Sequence, residues 1–313
     1  MKLYHFAIEQ DPLTTATAVH SMPGMLWFDS ADRAHSLARY SFIAFDPFEM
    51  IESKNGQTVI TSGDEKFTSV DDPFTILQER LEAHDIDIKD DPSLPPFQGG
   101  AAGYFGYDLA RGIERLPVRA EDNPRMPDMA VGLYHKFCAF DHDKGKSWFM
   151  VLATDDVTAQ AHFSAFKDLM VAPPLPPAMN DFSPAWQPHE TPEGYRAKVQ
   201  RVIDYIHAGD IFQANLSQQF IADVPADFEP FTHYCTLRAV NPAPFAAYMN
   251  FGDVKIASAS PERFLFVRGH HVETRPIKGT RPRRADPVAD AGMSAELANS
   301  VKDRAENAMI VDL

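Results

Sequence analysis

The stretch Thr274-Arg275-Pro276-Ile277-Lys278-Gly279-Thr280-Arg281-Pro282-Arg283-Arg284 concentrates four arginines and one lysine in a segment that proline and glycine stiffen. Guanidinium groups bind carboxylates and phosphates through paired hydrogen bonds, and a loop of this kind offers free backbone N–H groups to the same anions. A lysine held among such groups can act as a nucleophile, so Lys278 is a candidate catalytic residue. The alternative is an ordinary solvated basic loop.

Carboxylates lie on both sides of this stretch in the sequence. Glu262 follows a strand break in Ser260-Pro261-Glu262-Arg263, where it is a candidate general acid or base. Asp303 and Glu306 lie on a predicted helix at a spacing of three and therefore share a face. One or two carboxylates suffice for Mg²⁺ when water and substrate oxygens complete its octahedron. A salt-bridged surface glutamate and a solvated helix face are the alternatives.

Four motifs follow one another in the second half of the chain: Ala208-Gly209-Asp210-Ile211-Phe212-Gln213-Ala214-Asn215-Leu216-Ser217-Gln218, Ser260-Pro261-Glu262-Arg263-Phe264, Arg275-Pro276-Ile277-Lys278-Gly279-Thr280-Arg281-Pro282-Arg283 and Lys302-Asp303-Arg304-Ala305-Glu306-Asn307. In this order they resemble the motifs of the chorismate-utilising enzymes, and most closely the branch that aminates chorismate at C4. The resemblance implies an α+β fold, an orthogonal β-sandwich flanked by helices. Family members continue well beyond Asp312-Leu313, so we expect that fold to be incomplete in this chain.

The resemblance also implies a reaction and its participants. Ammonia, delivered by a separate glutamine amidotransferase subunit, replaces the C4 hydroxyl of chorismate to give 4-amino-4-deoxychorismate, a precursor of para-aminobenzoate and folate. Lys278 matches the lysine that attacks C2 first, and Glu262 matches the carboxylate that shuttles protons at the departing hydroxyl. Thr280 and Gln213 match substrate-binding positions. Glu306 matches a Mg²⁺ ligand, with Asp303 near the metal.

Two positions distinguish branches of the family. The branch that forms anthranilate usually carries alanine where this chain has Lys278, and the branches that hydrate chorismate usually carry a water-activating lysine where it has Gln213. The pair favours amination at C4. Three alternatives stay open: the anthranilate-forming reaction, a catalytically incompetent fragment, and a binding module. The last follows from Leu26-Trp27-Phe28-Asp29-Ser30 and Asn241-Pro242-Ala243-Pro244-Phe245, which lie where relatives bind tryptophan.

Proline indicates the domain organisation. Seven of the 25 prolines fall between Pro173 and Pro192, a density that favours extended backbone and is typical of a linker. We therefore predict a mixed, regulatory-like region over residues 1–172, a linker over 173–190 and a chorismate-binding region over 191–313.

Local patterns predict several elements that the structure can test. Thr191, Pro192 and Gly209 have the residue types of a helix cap, a first turn and a helix stop. Alternation from Phe212 to Val224 predicts a strand. The segments Val131–Phe140 and Ser147–Ala153 predict a strand pair, and the chain from Ser294 to Leu313 predicts one helix.

Charge and composition exclude several classes of protein. The formal net charge of −15 argues against general nucleic-acid binding and against anionic membranes as partners. The two cysteines, Cys138 and Cys235, form no CxxC and indicate buried, reduced thiols. No signal-peptide pattern and no apolar run near the ~20 residues of a membrane span occurs, so we expect a cytoplasmic protein. The sequence contains no HExxH motif, so it gives no indication of a zinc site.

Overall fold

The computed structural model describes residues 1–84, 91–118, 121–122, 124–180 and 182–311. Sixteen strands lie in these segments: β1 (Lys2–Ile8), β2 (Leu26–Asp29), β3 (Tyr40–Ala44), β4 (Glu49–Lys54), β5 (Gln57–Ser62), β6 (Glu65–Ser69), β7 (Gly100–Phe105), β8 (Met129–Tyr134), β9 (Lys136–Asp141), β10 (Lys146–Ala153), β11 (Gln187–Pro188), β12 (Phe220–Ile221), β13 (Phe245–Phe251), β14 (Val254–Ser260), β15 (Phe266–Arg268) and β16 (His271–Glu273).

Seven α-helices accompany them in the described segments: α1 (Pro12–Val19), α2 (Pro73–Ala83), α3 (Asp156–Leu169), α4 (Pro192–Ala208), α5 (Pro230–Val240), α6 (Pro287–Asn299) and α7 (Val301–Val311). A short 3₁₀ helix covers Tyr107–Gly112. None of the helices in these parts of the chain has the length and apolarity that crossing a bilayer requires.

Two antiparallel sheets form the body of the molecule, with helices on their outer faces. The larger has the strand order β1-β10-β9-β3-β2-β13-β14, and the smaller has the order β6-β5-β4-β8-β7. Side chains of α3 and α5, among them Phe166 and Phe231, join the apolar cluster on one face of the larger sheet. The other face, through Phe137 and Met150, packs against β7 of the smaller sheet. Ile76 of α2 covers the outer face of the smaller sheet. The α+β prediction is confirmed.

The larger sheet takes strands from both sides of residues 173–190. Strand β13 pairs with β2, with Tyr248 opposite Trp27, and β14 continues the sheet beyond it. The rings of Trp27, Tyr234 and Tyr248 meet in the buried cluster beneath this junction. The predicted division into two regions and a linker stays a prediction, but one apolar core joins residues from the first and the third.

Three predicted elements differ from the structure. The run Val131–Phe140 is divided at His135 into β8 and β9, which belong to different sheets. Of Phe212–Val224 only β12 is a strand, because no described strand lies beside residues 212–219 to form a ladder. The predicted terminal helix is two helices, since Ser300 is extended and its Oγ accepts a hydrogen bond from the Asp303 N–H. Asp312 and Leu313 lie outside the described residues.

Local capping and the thiol predictions are confirmed. Helix α4 begins after Thr191, whose Oγ1 accepts a hydrogen bond from the Gly194 N–H at 3.1 Å, and ends at Gly209, where φ is +81°. Cys138 and Cys235 are both free and buried. Burial raises the pKa of the Cys235 thiol to about 11, so this group stays protonated and inert at neutral pH.

Candidate active site

A loop of residues 274–286 leaves strand β16 and contains the basic stretch. It runs beside the segment that follows β14, where Thr274 Oγ1 donates to the carbonyl oxygen of Phe264 at 2.9 Å. Farther along the loop, the Ile277 N–H donates to Glu262 Oε2 at 3.3 Å. The structure therefore places the Glu262 carboxylate against the backbone immediately before Lys278.

The side chain of Lys278 is half-buried beside this contact. Its amine forms neither a hydrogen bond nor an ion pair with any residue that the structure describes. An amine without a partner in the chain can pair with an anionic group of a ligand.

Gly279 brings Asp303 to the same loop. Its φ is +61°, and a Cβ at this position would lie 2.5 Å from Asp303 Cγ. Only glycine combines this backbone conformation with so close an approach. Arg281 holds the arrangement from the other side, because its Nη2 lies 3.4 Å from Asp303 Oδ2 while its Nε donates to Glu296 at 2.8 Å. The helix pair α6 and α7 is thereby fastened to the loop.

Glu306 lies one helical turn beyond Asp303 on α7 and is half-buried. No described residue donates a hydrogen bond to its carboxylate, which distinguishes it from Asp303. In the described segments no three His, Cys, Asp or Glu side chains converge as a complete metal cluster. The donor set fits Mg²⁺ of the kind that binds one or two carboxylates and takes its other ligands from water and substrate.

The two predicted substrate-binding residues are exposed and lie apart from the contacts of Glu262 and Asp303. Thr280 is exposed and its carbonyl oxygen accepts a hydrogen bond from Arg281 Nη1 at 3.0 Å. Gln213 is exposed in the irregular segment after α4 and forms no hydrogen bond with the described residues. The structure brings together Glu262, the backbone at Lys278 and Asp303, but it joins neither Thr280 nor Gln213 to them through a side-chain contact.

Most arginines of the basic stretch bind carboxylates of this chain. Arg275 pairs with Glu273, Arg281 with Glu296 and Asp303, and Arg283 with Asp290. Hydrogen bonds from Arg283 and from the Arg284 N–H hold the pKa of Asp290 below its usual range. The sequence analysis weighed an external anion against a solvated loop for these guanidinium groups and did not consider pairing within the chain. The acidic residues Glu273, Asp290 and Glu296, which surround the stretch in the sequence, were the available signal for internal pairing.

A separate cavity of about 530 Å³ lies at the end of the larger sheet. Its wall contains the rings of Phe28, Phe245 and Phe266 and the guanidinium groups of Arg39 and Arg263. Both sequence segments that the resemblance assigned to a tryptophan site contribute to this wall. The rings suit a flat, apolar molecule, whereas Arg39 and Arg263 already pair with Asp141 and Glu273.

A buried ion pair includes Asp29, one of the residues that line this cavity. The Asp29 carboxylate accepts a hydrogen bond from Arg238 Nε at 2.7 Å and lies 3.3 Å from the Tyr234 hydroxyl. The Arg238 guanidinium also lies 4.9 Å from the centroid of the Trp27 ring. The negative charge of Asp29 is therefore balanced by Arg238 of the same chain.

Comparison with known proteins agrees with this geometry. The sequence model of the chorismate binding enzyme family matches residues 24–313. The chain belongs to the chorismate-binding enzyme family. It is 38% identical over 295 residues to aminodeoxychorismate synthase component 1 of Salmonella typhimurium. This alignment covers 94% of this chain and 63% of the relative. It is 35% identical over 294 residues to anthranilate synthase component 1 of Thermus thermophilus, covering 93% of this chain and 62% of that protein.

The fold likewise matches a solved member of the family. Anthranilate synthase component I from Streptococcus pneumoniae superposes with a TM-score of 0.73 at 30% sequence identity, covering 88% of this chain and 60% of that structure. The chain spans about three-fifths of the length of these relatives. The two synthases are similar to this chain at nearly equal identity, so the site residues must discriminate between their reactions.

Proposed function

We propose that this chain supplies the chorismate-binding, lysine-dependent chemistry of C4 amination, with 4-amino-4-deoxychorismate as the product. The observation that carries the proposal is the half-buried Lys278 amine, which has no partner among the described residues and lies beside the Glu262 carboxylate's contact with the Ile277 N–H. The proposed covalent step uses this amine, whereas direct addition of ammonia to C2 does not require it.

The proposed first step forms a bond between the Lys278 nitrogen and C2 of chorismate. Both ring double bonds shift, and the C4–O bond breaks as Glu262 transfers a proton to the departing hydroxyl, which leaves as water. Covalent catalysis of this kind divides one difficult displacement into two easier ones. The attacking amine loses a proton in the same step, and the Glu262 carboxylate, which accepts a hydrogen bond from the Ile277 N–H, is the proposed acceptor.

In the second step ammonia attacks C4 and both double bonds shift back. The bond between C2 and the Lys278 nitrogen breaks, the amine regains its proton, and the nucleophilic ammonia loses one. The balance is chorismate plus ammonia to 4-amino-4-deoxychorismate plus water. A separate glutamine amidotransferase subunit is the proposed source of ammonia, in line with the designation of the Salmonella relative as one component of a synthase.

Glu306, with Asp303 beside it, would hold a Mg²⁺ ion. The ion neutralises the substrate carboxylate and polarises the ring when it is bound. Asp303 has a second task at the same place, since it packs against Gly279 and pairs with Arg281. Through these contacts it keeps the backbone at Lys278 beside α7.

The proposal is tested by mass spectrometry of the chain incubated with chorismate and Mg²⁺ in the absence of ammonia. We expect a covalent adduct on Lys278 in the wild type and none in Lys278→Ala. Long incubation with ammonium should then yield 4-amino-4-deoxychorismate, and para-aminobenzoate only after a lyase is added. Anthranilate as the sole aromatic product without a lyase would assign the chain to the anthranilate-forming reaction instead.

The cavity lined by Phe28 and Phe245 supports a second proposed function, the binding of tryptophan as a regulatory ligand. Calorimetric titration of the chain with tryptophan tests it, and Phe28→Ala should weaken any binding by removing one wall of the cavity. Absence of heat at millimolar ligand would remove this function and leave the catalytic proposal untouched.

A further inference from the structure

Arg263 and its neighbour Glu262 extend to opposite sides of the chain. The carboxylate of Glu262 lies against the loop at Ile277, whereas the guanidinium of Arg263 lies between two aromatic rings. Its Cζ is 5.6 Å from the ring centroid of Phe245 and 4.7 Å from that of Phe266. Phe245 belongs to β13 in the larger sheet, and Phe266 to the small hairpin of β15 and β16.

The same guanidinium forms an ion pair with Glu273 at the end of that hairpin. Glu273 uses one carboxylate oxygen for Arg263 and the other for Arg275, whose Nη2 lies 2.8 Å away. The side chains of Arg263 and Glu273 are only 27% and 24% exposed. Because the planar guanidinium is held by two rings and a shared carboxylate, its geometry is more restricted than that of an ordinary surface ion pair.

These contacts connect the candidate catalytic loop to the rigid sheet. Glu273 and Arg275 precede Ile277 by four and two residues, and Glu262 immediately precedes Arg263. We propose that Arg263 is a positioning residue, which fixes Glu262 and the backbone before Lys278 against β13 so that carboxylate and amine meet the same substrate. This inference rests on the proposed function, because it assigns Arg263 a task in that reaction.

The effect of the Arg263 contacts on the loop can be measured without enzymatic turnover. In the 313-residue chain, Arg263→Met keeps the apolar stem and removes the guanidinium, while Arg263→Lys keeps the charge without the planar donors. Arg196→Ala is the matched control, since Arg196 is 73% exposed on α4 and pairs only with the exposed Glu193 among the described residues. Amide hydrogen exchange is followed in peptides from residues 274–280 and from β13.

We expect Arg263→Met to accelerate exchange at residues 274–280 by about tenfold, because the Ile277 N–H loses its fixed acceptor, while β13 keeps its protection. Arg263→Lys should restore part of the protection, and Glu273→Gln should resemble Arg263→Met. Unchanged exchange at residues 274–280 would overturn the proposal. Equal acceleration in β13 would also overturn it, since that result describes general destabilisation rather than positioning.

A second measurement connects the contacts to substrate. Labelling of Lys278 by an amine-specific reagent should be slowed by chorismate with Mg²⁺ in the wild type and in Arg196→Ala, but not in Arg263→Met at the same concentrations. Protection of Arg263→Met equal to that of the wild type would overturn the positioning role. If the wild type itself shows no protection, the proposed function fails, and the exchange experiment still decides whether Arg263 orders the loop.

Discussion

His135 lies between β8 and β9, where the chain passes from one sheet to the other. Burial, with the positive charge of Lys136 and the neighbouring His162, lowers the pKa of His135 to about 4, and Asp46 opposes the shift. An unfolded histidine has a pKa of about 6.5. The unfolded state therefore binds more protons between these values, and stability is lost as the pH falls through this window.

The expected loss at His135 is about 1–2 kcal/mol of unfolding free energy between pH 7 and pH 4.5, less than the full shift because the ring is partly exposed. Urea unfolding at the two pH values measures it. His135→Gln should reduce the pH dependence, leaving the contribution of His142, whose pKa burial also lowers to about 4. An identical dependence in wild type and His135→Gln would contradict the assignment.

Glu49 is an entirely buried carboxylate on β4, and its side chain is 0% exposed. Burial opposes its ionisation, but hydrogen bonds from Arg80 at 2.7 and 2.6 Å, with His84 nearby, hold its pKa below the usual range. Arg80→Met leaves this charge without its main partner and should cost about 3–5 kcal/mol of unfolding free energy. The double variant Glu49→Leu/Arg80→Leu should lose less, as measured by denaturant titration. A larger loss in the double variant would contradict this explanation.

At the residue scale the site residues proposed from the sequence stay a prediction, and the sequence analysis missed what most arginines bind. Lys278, Glu262 and Asp303 come from three separate motifs, and their proximity followed only from the family resemblance. The pairing of Arg281 with Glu296 depends on how α6 returns to the loop, which no local pattern states. The close approach of Asp303 to Gly279 has the same origin.

At the scale of elements, local signals predicted helices better than strands. Helix α4 begins and ends where Thr191 and Gly209 indicate, because a cap is a contact between residues close in sequence. A strand needs a neighbour for its hydrogen bonds, so the alternation after Phe212 was insufficient, and only β12 pairs, with β11. The division at His135 was hidden because both strands flanking it are almost entirely buried and show no alternation.

The caps of α3 and α4 should differ in their effect on global stability. Asp155 caps α3, which buries Ala159 and Phe166, whereas Thr191 caps α4, which has no buried residue. Asp155→Ala should cost about 1 kcal/mol of unfolding free energy. Thr191→Ala should instead raise amide exchange in the first turn of α4 about fivefold and barely move the thermal transition. Equal shifts of the transition in both variants would contradict this.

At the scale of the molecule, burial is unevenly distributed along the chain. The apolar clusters of the two sheets draw on residues up to Ala259, whereas α4, α6 and the β15–β16 hairpin have no buried side chain. Large apolar side chains in the same region are exposed, among them Phe212 at 89% and Phe264 at 83%. The catalytic candidates thus lie on the least buried part of the fold, where local opening costs the least free energy.

This distribution predicts that the purified 313-residue chain turns over chorismate slowly by itself. A nucleophile in a region without buried side chains forfeits part of the positioning contribution, which reaches about 7–11 kcal/mol in favourable cases. An ammonia-dependent assay with chorismate and Mg²⁺, with Lys278→Ala as the control, measures the rate against that of the Salmonella relative. Adding the part of that relative outside the 63% matched here should raise the rate by covering the exposed apolar surface and ordering Lys278 and Glu306. A rate close to that of the relative without any addition, abolished by Lys278→Ala, would show that the loop and α7 are already ordered by the contacts of Arg263, Arg281 and Asp303.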